Sequence, residues 1–337
     1  MHIGLVGAGN ISDTHARAAI AIPGMTIAAV YGGNPGKTAA LAARYSATAY
    51  ADLDSFLAHR PMDVVAIGSP SGLHAEQAIA AVKRGLHVLA EKPLDIDTGS
   101  IDVLTDAAEA ARVKVAVFFQ DRMKPAMVDL KAAIDDGRLG APVLASGRIK
   151  WYRPPEYYRQ SRWRGTWALD GGGALMNQGI HTVDLFLWLL GPVTRVRAAT
   201  ATRLHAIEVE DTAVAILEFQ SGALGVIEAA TSIFPGYARR IEVTGTEGTI
   251  VVEDDRIIRT DLRSSPSSIR AETTATESAA SPVVSDTSAH QRIFEDFVDA
   301  IRNDRRPICD AREGRRSVAL VQAIYEAARS GAAVVPR

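Results

Sequence analysis

The stretch Leu86-His-Val-Leu-Ala-Glu-Lys-Pro-Leu94 holds the first side chain placed for proton chemistry. Its apolar half reads as a buried parallel strand, which Glu91, Lys92 and Pro93 stop abruptly. In open α/β sheets chemistry gathers at such carboxyl ends. Pro93 biases Lys92 away from helix, so the backbone aims its ammonium, and a lysine held there can exchange protons. A lone Glu-Lys-Pro is more often an ordinary polar strand exit, so the neighbouring residues have to decide.

The second stretch runs from Trp163-Arg-Gly-Thr-Trp167 through Gly171-Gly-Gly173 to Asn177, His181 and Asp184. Three glycines entering a helix permit close backbone approach, and Asn177 and His181, four apart, project from one face of that helix. Asp184 is three further on. A histidine on an apolar helix is more often a satisfied core residue, but the glycines upstream favour an acid/base role. Tyr152, Arg153, Tyr157, Tyr158 and Arg162 precede them as a polar aromatic cluster. Such rings stack on sugar faces and guanidinium donates to hydroxyls, although an interface rim has the same composition.

A third constellation opens the chain. Gly7-Ala-Gly9-Asn10-Ile11-Ser12 lies between a strand, His2 to Val6, and a helical run from Ser12 to Ile22. Glycines there let a dinucleotide pyrophosphate reach a helix N-terminus, with Ser12 as the third, small residue. The next strand, Met25 to Tyr31, ends in Gly32-Gly33-Asn34-Pro35-Gly36-Lys37. An NAD-specific site places Asp or Glu about 20 residues after the glycines, and here that place holds Gly32. With Lys37 and Arg44 close by, NADP is favoured over NAD, the alternative being Lys37 as a solvated helix residue. Ser69-Pro70-Ser71 ends another strand, Asp63 to Ser69. His74, opening the helix to Arg84, either lies near a nicotinamide or makes a local hydrogen bond.

The elements that must position these residues alternate at first. Strands at 2–6, 25–31, 63–69, 86–90 and 114–119, taken as the first, second, fourth, fifth and sixth, with helices at 75–84 and 98–112 among the links, describe a six-stranded doubly wound parallel sheet whose third strand has no run of its own. After about residue 121 the pattern changes. Helices at 124–136 and 173–190 flank strand-like runs at 143–151, 193–202, 212–219, 223–230, 239–244 and 249–253, an α+β arrangement on an antiparallel sheet. Residues 263–289, rich in Ser, Thr and Ala, read as a long surface loop around a short strand, and helices at 289–303 and 311–330 follow.

Composition excludes several classes. The 337 residues suggest about two domains, and 47% hydrophobic with 23% charged residues describes a globular protein with an ample core. A net charge of -2 gives no electrostatic case for nucleic acid or an anionic membrane. The single cysteine, Cys309, forms no internal disulfide and has no His/Cys cluster for a metal, so it reads as a small apolar filler. The chain opens on a strand with no secretory pattern, making cytoplasm the expected location. The run from Ile180 to Leu190 is too short to span a bilayer.

In their order and spacing, the glycine turn, Glu91-Lys92-Pro93 and Gly171-Gly-Gly with His181 and Asp184 resemble the glucose-fructose oxidoreductase, inositol dehydrogenase and rhizopine catabolism family of NAD(P)-dependent oxidoreductases. The resemblance covers essentially the whole chain. It implies a Rossmann domain, 1–121, then an α+β substrate-binding and oligomerisation domain, 122–337. The large, open, mainly antiparallel sheet of the second domain would form a homodimer or homotetramer, with the closing helices able to pack back on the first. It also implies hydride transfer between a nicotinamide and a secondary alcohol or ketone of a sugar, sugar derivative or cyclitol. Lys92 and His181 match the family's catalytic lysine and histidine, and Trp163 and Arg164 match a pair that contacts cofactor. Gly7, Gly9, Asn10, Ile11, Ser12, Gly32, Gly33, Asn34, Lys37, Ser69, Pro70, His74, Glu91, Lys92 and Gln120 complete the expected cofactor set. Asn177, Asp184, Tyr152, Arg122 and Tyr157 form the expected substrate set. The chain departs from the family at Asn177, where aspartate is frequent, so His181 is expected to work without a carboxylate at 177. Two other activities stay open: glycoside elimination or cleavage with tightly bound nicotinamide, and nucleotide sensing without catalysis.

Overall fold

The structure, a computed structural model, describes residues 1–269 and 286–337. By contact the chain divides into two compact units, Met1–Gln120 with Val283–Arg315, and Asp121–Pro282 with Arg316–Arg337.

The first unit is built on six parallel strands: β1 His2–Val6, β2 Thr26–Tyr31, β3 Thr48–Tyr50, β4 Val64–Ile67, β5 His87–Ala90 and β6 Val115–Val117. Their order is β3-β2-β1-β4-β5-β6, so the direction of winding reverses between β1 and β4, where such sheets bind ligands. The inner strands are buried on both faces, as runs such as Val64–Ile67 and His87–Ala90 require. Strand β3, exposed and three residues long, carries too little pattern to be read from sequence. Helix Ser288–Arg302 packs on helix Asn10–Ile20. Cys309 is buried, as expected of a filler.

Among the described residues the second unit carries eight strands, not the six recognisable as alternating runs: β7 Pro142–Lys150, β8 Val193–Ala201, β9 Thr212–Phe219, β10 Leu224–Ala230, β11 Arg240–Gly245, β12 Gly248–Glu253, β13 Arg256–Leu262 and β14 Ser265–Ile269. The order is β14-β13-β12-β11-β7-β10-β9-β8, antiparallel except where β7 meets β10. Within the stretch expected as a loop around a short strand, β14 is that strand, and 270–285 lies outside the described residues. Strand β13 escaped because Asp254 and Asp255, both at positive φ, turn the chain back at once, and its charged alternation reads as surface. Burial alternates along β9. Phe186 fills the inner face, while Val214 and Ile216 of β9, Leu224 of β10 and Val143 and Leu144 of β7 are exposed. Among the described residues no helix is long and apolar enough to cross a membrane.

Candidate active site

In the first unit the glycine turn stands at the winding reversal. Gly7 has φ +107° and donates its N–H to the Tyr31 carbonyl at 2.7 Å, and a Cβ there would meet the Gly68 carbonyl oxygen at 2.7 Å. No side chain caps helix Asn10–Ile20, and a Cβ on Gly9 would meet nothing. Free N–H groups facing open space fit a pyrophosphate. Ser12 is buried, its Oγ packed toward Gly7 and Gly68, so it seats the helix and does not present its hydroxyl to a ligand.

At the end of β2, a Cβ on Gly32 would lie 2.9 Å from Thr38 Oγ1 and 3.1 Å from the Ala8 methyl. The missing carboxylate is therefore matched by packing that leaves no room for one. Gly33 and Asn34 are exposed. Asn34 caps helix Pro35–Arg44 by accepting from the Lys37 N–H at 3.0 Å, which puts exposed Lys37 in its first turn. Arg44 does not join them: it donates to Asp13 at 2.7 Å, beside the Tyr45 hydroxyl.

At the exit of β5, Glu91 turns inward. Its Oε1 lies 2.9 Å from His15 Nε2, and its Oε2 accepts from the Lys92 N–H at 3.1 Å. The His15 ring stacks on Phe118 with centroids 4.2 Å apart. Burial pushes the Glu91 carboxyl up, but the His15 hydrogen bond and the charges of His15, Lys92 and His290 hold it down at about 2. Glu91 thus fixes the strand end and does not face a cofactor, leaving half-buried Lys92 as the exit group; the Lys92–Pro93 bond is cis. His74 is also corrected. Its ring nitrogens lie 2.8 Å from the Pro93 carbonyl oxygen and 2.9 Å from that of Ser69, so it ties together the loops after β4 and β5. Ser69 donates to Gln77 at 2.6 Å, and Pro70 leads into the turn Ser71–Leu73. Gln120 opens the 3₁₀ turn Gln120–Met123.

In the second unit the glycines enter a π-helix, Ala174–Gly179, continued by α-helix Ile180–Leu190. The Gln178 N–H reaches the Gly173 carbonyl five residues back, which widens the first turn of this entry. Buried Glu210 secures this entry by accepting from the N–H groups of Gly173 (3.0 Å) and Leu175 (2.8 Å) and from the Tyr325 hydroxyl (2.9 Å). A Cβ on Gly173 would run into the Glu210 carbonyl.

Asn177 donates to buried Asp170 and accepts from Gln178 at 2.6 Å. Gln178 also donates to the Tyr157 hydroxyl at 2.9 Å and accepts from Arg153 at 2.9 Å. Arg164 stacks over Tyr157 at 4.3 Å and lies 5.4 Å from the Trp163 ring. Tyr152 meets Phe234 edge-on at 5.3 Å. Asn177, Tyr157, Trp163 and Arg164 are thereby brought together.

Arg122 and Asp184 do not belong to a ligand surface. They are 3% and 1% exposed and bonded to each other at 2.8 and 2.5 Å, with Ser317 donating to Asp184 at 3.2 Å. A buried, mutually engaged pair anchors the helix and has no face left for a substrate.

His181 instead has Asp121 beside it, Nδ1 to Oδ2 at 4.0 Å. Asp121 is paired with Arg239 and lies 2.8 Å from Lys124, and both cations also hold Asp255. Burial would raise the Asp121 carboxyl, yet Arg239, Lys124 and His181 hold it well below the usual carboxylate range. Sequence reasoning missed Asp121, Arg239, Asp170 and Glu210. The one local signal was Lys124, three residues after Asp121.

Comparison with known proteins adds to this geometry. Residues 1–119 match the model described as "Oxidoreductase family, NAD-binding Rossmann fold", and residues 127–251 match the "GFO/IDH/MocA C-terminal domain". The crystal structure of the WlbA dehydrogenase from Bordetella pertussis in complex with NADH and UDP-GlcNAcA is similar at 34% identity with TM-score 0.88, covering 99% of this chain and 98% of that one. The D-xylose 1-dehydrogenase (NADP(+)) 2 of Haloferax volcanii is 30% identical over 288 residues, 85% of this chain and 84% of its own. The inositol 2-dehydrogenase of Rhizobium meliloti is 26% identical over 336 residues, 96% of this chain and 95% of its own.

Proposed function

Because the chain belongs to the GFO/IDH/MocA family of oxidoreductases, we propose that it reversibly oxidises a secondary alcohol of a sugar, sugar derivative or cyclitol with a nicotinamide nucleotide. The observation that carries this reading is Lys92, held at the strand exit of a sheet whose winding reversal bears an uncapped glycine turn. When bound, the nicotinamide supplies the hydride chemistry, and the protein positions the partners and handles one proton. Gly7, Gly9 and the N–H groups of Asn10 and Ile11 would hold the pyrophosphate, with Trp163 and Arg164 contributing further cofactor contacts. Lys92 hydrogen-bonds the reacting oxygen, and His181 takes or returns its proton. Tyr152 and Tyr157 hold substrate hydroxyls, and Asn177, engaged by Asp170 and Gln178, braces the Tyr157 side of that cluster.

Within that class an acidic sugar, free or nucleotide-linked, is favoured. Arg164 stacks over the Tyr157 ring at 4.3 Å, and a guanidinium held flat on an aromatic suits a carboxylate or phosphate, while buried Arg153 braces the same ring through Gln178. The relative crystallised with UDP-GlcNAcA matches over the full length of the chain. A screen of neutral sugars, cyclitols, uronic acids and UDP-linked uronic acids, with each nucleotide in both directions, tests the reading by nicotinamide absorbance. Reduction with acidic sugars and little with their neutral counterparts is expected. Substrate consumption without an absorbance change would identify the eliminating activity, and no turnover beside tight nucleotide binding would identify a sensor.

NADP(H) is expected to bind more tightly than NAD(H). Gly32 leaves no carboxylate to repel a 2′-phosphate, and Lys37 stands in the first turn of the following helix. One charge-assisted phosphate contact stabilises by about 1.5 to 3 kcal/mol, about one to two decades of affinity. Calorimetric titration of the nucleotide-free protein with both cofactors checks this, and equal affinities would refute it. The exposed apolar residues Val143, Leu144, Val214, Ile216 and Leu224 support self-association through the outer face of the eight-stranded sheet.

A further inference from the structure

The reading of His181 as proton carrier leaves open what sets the charge and orientation of its ring. Asn177 cannot: its amide is neutral and already engaged with Asp170 and Gln178. Asp184, on the same helix, is bonded to Arg122 and Ser317. Asp170 stands behind Asn177 and also accepts from the Gly165 N–H at 2.8 Å. Asp121, whose carboxylate reaches the ring, comes from outside the helix, in the 3₁₀ turn Gln120–Met123.

We propose that Asp121 is the positioning residue of the proton step: a buried carboxylate, fixed by Arg239 and Lys124, that orients the His181 ring and favours its imidazolium form. The inference rests on the acid/base reading of His181. At 4.0 Å the contact is longer than a hydrogen bond and acts through charge. The surrounding charges balance, with Asp121 and Asp255 facing Arg239 and Lys124. Two cations on Asp121 keep it ionised across the working pH range and fix its position, and neither is bonded to His181. Loss of the Asp121 charge would leave one carboxylate against two cations, an excess of positive charge in the cluster beside the ring. Asp121 therefore supplies from a distant part of the chain the anion that position 177 lacks, and makes His181 a stronger base at neutral pH.

The experiment is an NMR titration of the His181 ring in nucleotide-free protein, its signal assigned by loss in His181→Ala. It needs no turnover. In the unaltered protein the ring is expected to titrate above the ordinary histidine value of about 6.5. In Asp121→Asn the midpoint should fall by about one unit or more. Asp121→Glu should restore most of it, and Asp255→Asn, which disturbs the same two cations, should move it less. The acidic limb of kcat/KM should follow the ring downward in Asp121→Asn. An unchanged midpoint in Asp121→Asn would overturn the proposal. So would a midpoint at or below the ordinary value in the unaltered protein, a result that depends on no variant folding. A shifted ring titration with an unshifted rate limb would uphold the pairing and overturn the acid/base reading of His181 instead.

Discussion

Lys92→Ala is expected to turn over at least about a hundredfold more slowly while binding nucleotide with unchanged affinity. The two halves of this expectation come from different atoms. The backbone at the β5 exit is held by the Lys92 N–H donating to Glu91 and by Glu91 against His15, and all of these survive truncation of the side chain. What disappears is the ammonium, and with it the hydrogen bond proposed for the reacting oxygen. The glycine turn at β1 shares no hydrogen bond with Lys92 among those described, so the nucleotide should be held as before. Stopped turnover beside a normal nucleotide titration would carry the assignment. Normal turnover would show that the reacting oxygen is held elsewhere.

His181→Ala should lose about a hundredfold or more in kcat, far more than Asn177→Ala. The difference follows from what each side chain does in the folded chain. Asn177 spends its amide on Asp170 and Gln178, so its removal leaves a buried carboxylate short of one donor. That costs about 1 to 3 kcal/mol of stability and loosens the Tyr157 side of the cluster, an effect seen in KM and melting temperature more than in kcat. Asn177→Asp meets the same neighbour in a worse way, since a new carboxylate would face Asp170 and its folded-state pKa would rise. A raised pKa leaves stability intact below the unfolded value, about 4, and removes it as pH rises through the folded value. This variant should therefore be more stable near pH 4 than near pH 7, relative to the parent. Steady-state kinetics with melting curves across pH for the three proteins separate these effects, and near-normal kcat in His181→Ala would remove the histidine from the proton path.

The two expectations differ in how much of their basis can be read along the chain. The glycine turn, the β5 exit and the alternation of strands and helices are local, and a few consecutive residues carry each signal. Side-chain partners are another matter. Asp121 meets Arg239 118 residues later, and Arg122 meets Asp184 62 residues later, distances over which residue type gives no hint of pairing. That is why Arg122 and Asp184 looked like ligands for a substrate, and why Asp121 went unnoticed beside them. The π-turn at Ala174–Gly179 was illegible for another reason. Its register is imposed by Glu210 and Tyr325, which hold its first N–H groups from elsewhere in the unit.

Helix Ala311–Ser330 reaches back to that same entry. Its Ser317 donates to Asp184, and its Tyr325 donates to Glu210 and accepts from the Met176 N–H across 149 residues of chain. During synthesis the segment from Gly171 to Asp184 leaves the ribosome long before residue 325 exists. Until then Glu210, whose carboxyl burial pushes upward, lacks one of its three donors, and Asp184 lacks its serine. The order of translation therefore withholds the finished histidine helix until Tyr325 arrives, and a nascent protein halted before it would carry the glycine turn of the first unit complete and the helix entry of the second still short of its last donors.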